Sequence, residues 1–286
     1  MISLIICSRN SEISPLLKKN ITETIGVGYE VIIIDNSQNK YSIFQAYNEG
    51  VRKSIFPYLC FMHEDILFHT KDWGCKVIEH FKNPQVGLIG VVGGHYMPQC
   101  PASWWSTQYN SGQFIQGFYD KHKYNTETIS CSRYKKPNET SLNVAAVDGF
   151  WFCIPRKLFS VVKFDEETFK EFHFYDTDIC FQIINQNKEV RVVFDILIEH
   201  SSRGTQNGAF LEQRVICYNK WAHFLPIIRG IEISTYDIED RLKLAEEINA
   251  ITLYRYKEIE QIKSSCAYRL GKTILKPISF FRQKIK

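Results

Sequence analysis

The feature that most constrains the fold is a regular alternation of short apolar runs with segments of helical spacing near the start of the chain. Glu30–Asp35 (EVIIID) is β-branched and apolar on both faces, which is typical of a buried parallel strand. Strand–helix repetition of this kind predicts an α/β domain with a mostly parallel central sheet flanked by helices. The predicted strands are Ile2–Cys7, Glu30–Asp35, Tyr58–Met62 and Val86–Val92, and the predicted helices are Ser11–Ile25, Tyr41–Ser54 and Asp72–Phe81.

Polar residues follow three of these predicted strands where each strand ends. They are Ser8-Arg9-Asn10, Asp35-Asn36-Ser37 and His63-Glu64-Asp65. Ligands of open α/β sheets bind beside the carboxyl ends of the strands. The sequence therefore predicts a binding site at this edge of the sheet.

The second half of the chain is less regular. His95–Asn143 is an aromatic-rich connection without a clear period, which is typical either of a functional or mobile segment or of a packed insertion. Regular structure is predicted again at Val144–Ile154, in helices at Asp176–Asn187 and Asn207–Phe224, in a strand at Val190–Phe194 and in a long amphipathic helix at Asp237–Ile262. This organisation predicts one domain at residues 1–225, followed by a C-terminal helical extension and tail at 226–286.

Charge and hydropathy exclude several classes of protein. From Lys263 onward the chain has seven basic residues and no acidic one, whereas all 286 residues together have 35 Lys and Arg against 31 Asp and Glu. The body is therefore close to neutral, which argues against a nucleic-acid partner. No apolar run approaches the roughly 18 residues of a membrane span. The start, MISLIICSRN, lacks a basic segment before its apolar run, so it is interpreted as a strand and not as a signal peptide.

Nine cysteines are scattered singly, with no CxxC pair. Disulfide frameworks and zinc ribbons need closer pairing. This pattern predicts reduced thiols in a cytosolic protein.

Two common nucleotide-binding motifs are missing. The turn after the first predicted strand, Cys7–Ser11, contains no glycine, so it does not match the GxGxxG fingerprint of dinucleotide-binding proteins. The P-loop pattern is also absent. Asp35, at the end of the second predicted strand, therefore needs another role.

Two groups of residues have the chemistry of a site. His63, Glu64 and Asp65, together with the distant His200, offer nitrogen and oxygen ligands suited to Mg²⁺ or Mn²⁺, although acidic strand ends are often only solvated. Asp176 and Asp178 open a predicted helix, where a carboxylate also serves as a cap or favours the helix dipole. Upstream of them, Gly149-Phe150-Trp151 combines a small residue with an indole that either stacks on a sugar or fills the core.

The order of these motifs resembles the family-2 glycosyltransferases of the GT-A fold, in the bacterial branch that has HxD in place of DxD. The matching segments are IICSRN, IIIDNS, FMHED, VDGFWF, FYDTD and EHSSRGT. The resemblance implies Asp176 as catalytic base and Asp65 and His200 as ligands of Mn²⁺ or Mg²⁺. It further implies a nucleotide-sugar site at Cys7, Ser8, Arg9, Asp35, His63 and Glu64, and an acceptor site at Gly149, Phe150 and Trp151.

The function implied is transfer of a sugar from a nucleotide-sugar donor to a glycan or a lipid-linked acceptor, with inversion, in bacterial surface glycan synthesis. Two alternatives stay open: a catalytically degenerate binding protein and a sugar nucleotidyltransferase. The basic, aromatic segment 264–286 predicts contact with an anionic membrane surface, with a solvated helix as the alternative. The predicted location is the cytoplasm, with the inner face of the membrane as the site of that contact.

Overall fold

The computed structural model describes residues 1–120, 123–202, 207–233 and 238–270. Fifteen strands lie in these ranges: β1 Ile2–Ser8, β2 Tyr29–Asp35, β3 Tyr58–Met62, β4 Ile66–Phe68, β5 Val86–Gly90, β6 Val92–Gly94, β7 Tyr96–Met97, β8 Asn110–Asp120, β9 Lys123–Cys131, β10 Ser141–Val144, β11 Ala146–Val147, β12 Trp151–Pro155, β13 Glu189–Val193, β14 Ile198–His200 and β15 Ile227–Ile228. The helices in the same ranges are α1 Pro15–Thr24, α2 Ile43–Lys53, α3 Trp73–His80, α4 Tyr175–Asn185, α5 Gly208–Trp221 and α6 Ile238–Ser264, with a short 3₁₀ helix at Arg156–Ser160.

The main sheet has seven strands in the order β10-β13-β5-β12-β3-β1-β2. Strands β1, β2, β3, β5 and β13 point the same way, while β12 runs antiparallel between β3 and β5 and β10 closes one edge antiparallel to β13. The prediction of a mostly parallel α/β sheet is confirmed, and β3 coincides with its predicted range. The predicted strand Val86–Val92 divides into β5 and β6, which belong to different sheets.

Short-range signals explain where the first helices begin. Ser14 caps α1 by accepting a hydrogen bond from the Leu17 amide, and Pro15 occupies the first turn. At α2 the Ser42 hydroxyl accepts from the Gln45 amide while the Gln45 side chain accepts from the Ser42 amide, which is a capping box. Each helix starts a few residues after the start predicted from hydrophobic spacing.

A second sheet includes two strands, β8 and β9, in the region where no regular structure is predicted. Its order is β11-β6-β8-β14-β4, and β9 pairs with β8 along a hairpin that runs from Asn110 to Cys131. The expectation of a connection without regular structure between His95 and Asn143 is therefore wrong, because this segment contains β7 and the hairpin of β8 and β9. The hairpin escapes detection because the side chains of β9 are exposed or half-buried on both faces, which leaves no apolar alternation.

The chain divides into two compact units, residues 1–244 and a second that begins at Ala245. In the second unit the helix α6 exposes several apolar side chains, including Leu253, Tyr256 and Ile262. The helix predicted at Asp237–Ile262 is confirmed over its described length, whereas Asp237 and residues 271–286 of the basic tail lie outside the described residues. No helix in the described ranges combines the length and the hydropathy that crossing a bilayer requires.

Candidate active site

A cluster of two imidazoles and one carboxylate lies at the carboxyl end of β3. Ligand atoms of His63, Asp65 and His200 lie within 4.8 Å of one another. His200 Nε2 is 3.5 Å and His63 Nδ1 is 3.9 Å from Asp65 Oδ1. The prediction that His200 joins the HxD segment in space is thus confirmed.

Strand pairing explains how residues so distant in sequence meet. In the antiparallel register of β14 and β4, His200 lies opposite Ile66, the residue after Asp65. The Ser201 amide donates to the Asp65 carbonyl at 2.9 Å, which extends this pairing past the strand end. His63 is held from the other side, since its amide donates to the Phe150 carbonyl at 2.9 Å.

A tyrosine on α4 orients His63. The Tyr175 hydroxyl donates to the Gly149 carbonyl at 3.1 Å and lies 2.9 Å from His63 Nε2. Because the hydroxyl proton is used on Gly149, we assign the Nε2–H of His63 as the donor to Tyr175. This tautomer leaves the Nδ1 lone pair on the side of Asp65, as a metal-binding imidazole requires.

The charges in the cluster also suit a divalent cation. Burial and the neighbouring His200 lower the pKa of His63 to about 4, so this imidazole is neutral near pH 7. Burial alone raises the pKa of Asp65, but its hydrogen bonds with His200 and Ser202 outweigh burial and hold the pKa well below its usual range. A neutral imidazole and an ionised carboxylate are the forms that bind Mn²⁺ or Mg²⁺.

Asp176 lies in the first turn of α4 and not at the N-cap, which is Phe174 with a left-handed backbone (φ 68°). Asp176 Oδ1 accepts a hydrogen bond from the Thr177 amide at 2.7 Å. Burial, followed by the negative charge of Asp148, raises the pKa of the Asp176 carboxyl to about 7. A carboxyl with this pKa can accept a proton at neutral pH, which is the property of a general base.

Asp148 is a site residue that motif reasoning missed. It precedes Gly149, is half-buried, and its Oδ1 accepts from the Phe150 amide at 3.1 Å. The sequence signal was present, because Asp148 is the acid of VDGFWF, but its proximity to Asp176 arises only from the packing of α4 against the segment after β11.

One cavity of about 830 Å³ unites these groups. His63 and His200, Asp148 and Asp176, and Arg9 all line it. The cavity therefore brings together the two imidazoles of the metal-binding cluster, the guanidinium of Arg9 at the end of β1 and the Asp176 carboxyl with its raised pKa.

A family model described as "Glycosyltransferase like family" matches residues 3–220. The chain belongs to this glycosyltransferase family. The membership confirms the resemblance drawn from the motifs, and His63 and Asp65 form the HxD segment. No curated protein sequence matches the chain.

Solved structures give the same fold for the glycosyltransferase. One is the structure of GalNAc-T7 with UDP, GalNAc and Mn²⁺, whose sequence is 13% identical and whose TM-score is 0.50. The match covers 92% of this chain but only 57% of the GalNAc-T7 chain. The mannosyltransferase PcManGT from Pyrobaculum calidifontis, in complex with GDP-Man and Mn²⁺, is 11% identical over 95% of this chain and 83% of its own, with a TM-score of 0.46. The likeness to the GalNAc-T7 structure confirms the GT-A type α/β fold.

The residues predicted to bind the nucleotide lie along the ends of β1 and β2. The Cys7 thiol is half-buried, and burial raises its pKa to about 11, so it stays protonated. Ser8 is buried and donates a short hydrogen bond to Glu64, which keeps the Glu64 carboxylate outside the metal cluster. Arg9 is exposed and lines the cavity. Asp35 is exposed and accepts from the Ser37 amide at 2.9 Å.

The prediction for Trp151 is wrong. Its indole is 0% exposed and packs against Trp73 and Phe68, with ring centroids 6.2 and 6.3 Å away. Trp151 therefore fills the core and cannot contact an acceptor. Gly149 and Phe150 line the cavity of the glycosyltransferase, and each of them also packs against a residue of the metal site or its support.

The support given by Gly149 and Phe150 is specific. A Cβ at Gly149 would lie 2.4 Å from the Tyr175 hydroxyl, so only glycine admits the tyrosine that orients His63. The Phe150 ring stacks on His200 at 4.7 Å. Both residues thus act on the metal cluster.

Proposed function

We propose that this glycosyltransferase transfers a sugar from a nucleotide-sugar donor to the hydroxyl group of a glycan or lipid-linked acceptor, with inversion at the anomeric carbon. The observation that carries the proposal is that Asp176, a carboxyl with a raised pKa, lines the same cavity as His63 and His200 of the metal cluster. A base and a cation site that share one cavity are what this reaction needs.

The leaving group explains the cluster. A nucleotide sugar departs as a diphosphate, and negative charge develops on it as the bond to the sugar breaks. His63, Asp65 and His200 would hold a divalent cation, and its positive charge would stabilise this leaving group. Arg9, at the same cavity, adds a permanent positive charge on the side of β1.

The nucleophile explains Asp176. An acceptor hydroxyl attacks poorly while it keeps its proton, and a carboxylate within hydrogen-bond reach removes that proton during attack. The new bond forms between the acceptor oxygen and the anomeric carbon, the bond to the diphosphate breaks, and the proton goes to Asp176. A single displacement of this kind inverts the anomeric centre.

The donor requirement separates this proposal from its alternatives. Thermal-shift measurements with UDP, GDP, CMP and dTDP sugars, each with and without Mn²⁺, should show Mn²⁺-dependent stabilisation by one nucleotide class. A sugar nucleotidyltransferase would respond instead to a nucleoside triphosphate. Stabilisation without any release of nucleoside diphosphate, with acceptors present, would favour the degenerate binding protein.

We further propose that segment 264–286 brings the enzyme to the anionic cytoplasmic surface of a membrane, where lipid-linked acceptors of surface glycan synthesis are made. The support is its composition, because basic residues interleaved with aromatic and aliphatic ones bind such surfaces. In a sedimentation assay the full chain should pellet with anionic liposomes, whereas a chain that ends at residue 263 should stay in the supernatant. Equal sedimentation of both would contradict this role.

A further inference from the structure

The cavity extends beyond the metal cluster and Asp176 into an aromatic end. Ring contacts run from Trp105 to Phe210 at 5.8 Å, from Phe210 to His173 at 5.1 Å, from His173 to Phe172 at 5.9 Å and from Phe172 to His63 at 5.9 Å. All of these residues line the cavity. The aromatic end is thus continuous with the metal cluster, yet neither the metal ligands nor the base accounts for it.

Of the tryptophan and phenylalanine rings in this series, two keep accessible surface. Phe172 is 47% exposed although it lies beside the catalytic helix, with its ring 5.8 Å from that of Tyr175. Trp105 is half-buried, and Phe210 stacks on it with an interplanar angle of 15°. We name Trp105 and Phe172 the aromatic platform. Large aromatic rings left open inside a polar cavity are typical of surfaces that a ligand covers.

Polar atoms without partners lie next to the platform. Ser103 Oγ and Trp104 Nε1 are buried and, within the described ranges, have no hydrogen-bond partner. Both residues precede Trp105 directly and line the same cavity. Buried polar groups are nearly always paired, so the segment 103–105 has hydrogen-bonding capacity that a ligand rich in hydroxyl groups can use.

We infer that the aromatic platform is the acceptor subsite and that the acceptor group it binds is a pyranoside ring. A pyranoside presents an apolar face of C–H bonds, which stacks on aromatic rings, and a rim of hydroxyl groups, which pairs with polar atoms. The neighbour of Phe172, Tyr175, precedes Asp176 in sequence, so a sugar stacked on the platform lies close to the base. The inference rests on the proposed function, which it deepens by naming the acceptor class and two residues that select it.

A nucleobase also stacks on aromatic rings, but the position of the platform favours the acceptor. Cys7, Ser8 and Asp35, at the ends of β1 and β2, do not line this cavity, and Arg9 alone of the segment 7–9 reaches it. The donor nucleotide is therefore assigned to the β1 side, and the platform is left for the acceptor.

Saturation-transfer NMR tests the platform with methyl β-D-glucopyranoside, methyl β-D-galactopyranoside and methyl α-D-mannopyranoside as probes. At least one should bind the wild-type chain, whereas sorbitol, which has no ring face, should not. Trp105→Ala and Phe172→Ala should each weaken binding of that pyranoside by about tenfold or more, as expected for loss of a stacking contact. Trp105→Phe and Phe172→Tyr should keep it within about threefold because both retain a ring. Tyr119→Ala is the control, because it removes a ring that is 73% exposed and lies outside this cavity. This variant should bind the pyranoside as tightly as the wild type does.

Three results would overturn the inference: no pyranoside binds the wild type, the alanine variants bind as tightly as the wild type, or uridine or guanosine binding is lost in those variants while pyranoside binding is kept. The last result would assign the platform to the donor base. Mn²⁺-dependent stabilisation by nucleotide sugars is measured separately on the wild type. Loss of the acceptor assignment is therefore distinguishable from failure of the proposed function.

Discussion

Two carboxylates in the first turn of α4, only two residues apart, have opposite surroundings. Asp178 is 1% exposed and accepts hydrogen bonds from Trp221 Nε1 at 2.7 Å and Gln182 Nε2 at 2.8 Å, and the Lys220 ammonium lies 2.6 Å from it. Asp176 faces the cavity, where the nearby charge that acts on it is that of another acid, Asp148. Among the residues that the structure describes, Asp178 has a positive partner in Lys220, whereas the charge that acts on Asp176 is negative.

The difference separates a structural role from a chemical one. Burial raises the pKa of Asp178, but Lys220, Trp221 and Gln182 oppose that effect. Burial alone would lower the pKa of Lys220, yet the carboxylates of Asp178 and Asp165 raise it, so the Lys220 ammonium is charged near pH 7. Hydrogen bonds from Thr177 lower the pKa of Asp176, but burial and the charge of Asp148 outweigh them, and a carboxyl whose pKa is raised in this way inside a cavity is typical of a functional site.

The largest expected effect is on turnover. Asp176→Asn keeps the shape of the side chain but removes the proton acceptor, so the transfer rate should fall about 10²- to 10⁴-fold. Mn²⁺-dependent nucleotide binding should survive, because the metal cluster is unchanged. Initial rates and thermal shifts on the same preparation check both statements, and full activity of the variant would refute the assignment of the base.

The same substitution should stabilise the fold at high pH. The pKa of Asp176 is about 7 in the folded chain against an ordinary 3.8. Asp176 therefore ionises more readily in the unfolded chain, and the free energy of unfolding falls progressively as pH rises from 3.8 to 7. Asp176→Asn should therefore raise the free energy of unfolding at pH 8 by up to about 4 kcal/mol, and by almost nothing at pH 4. Urea denaturation at the two pH values measures this. An equal change at both would show that Asp176 carries no uncompensated charge.

Lys220→Met tests the other side of the comparison. It leaves the buried carboxylate of Asp178 without its cation, and we expect a loss of about 3 kcal/mol in the free energy of unfolding. The lower end of the range applies because the Lys220 side chain keeps 23% exposure. Lys263→Met is the matched control, since the Lys263 ammonium lies 3.1 Å from an exposed glutamate, and this substitution should leave the free energy of unfolding almost unchanged.

The metal cluster gives a smaller effect on binding. His200→Ala removes one imidazole and should weaken Mn²⁺-dependent nucleotide binding by about tenfold or more. His223→Ala, at an exposed histidine outside the cluster, is the control and should bind as the wild type does. Calorimetric titration with and without Mn²⁺ measures both, and equal affinities would exclude His200 as a ligand.

Strands β1 to β3 and strand β12 differ in how well the sequence predicts their surroundings. The strands β1 to β3 and their polar ends were predictable because each strand is a dense apolar run followed at once by polar residues. Trp151 was misassigned because β12 lies between β3 and β5, where both faces are covered and every side chain is buried. A continuous apolar run such as WFCI favours core over a ligand contact.

The site was predictable only where a motif carries its chemistry locally. His63, Asp65 and Asp176 stand in recognisable segments, and His200 follows an apolar strand. Asp148 could not be paired with Asp176, since no spacing links them and the effect of one on the other depends on tertiary packing. The role of Tyr175 was equally hidden, because it depends on one hydrogen bond across the cavity to His63.

The smallest expected effect concerns the charge of Asp148. Protonation of Asp176 should make the rate fall as pH drops below about 7. Asp148→Asn removes the like charge that raises this pKa, so the midpoint of the fall should move to lower pH, by less than about one unit. A pH–rate profile of the variant that is displaced upward, or not at all, would show that Asp148 does not act on the base.

The most direct test of the central claim is release of nucleoside diphosphate from a nucleotide sugar, followed with pyranoside acceptors, Mn²⁺ and either wild-type chain or Asp176→Asn. The account predicts Mn²⁺-dependent release by the wild type, with the variant binding the same nucleotide but releasing it at least about 100-fold more slowly. Equal release by the two chains, or release that ignores Mn²⁺, would contradict a site in which Asp176 takes the proton beside a cation held by His63, Asp65 and His200.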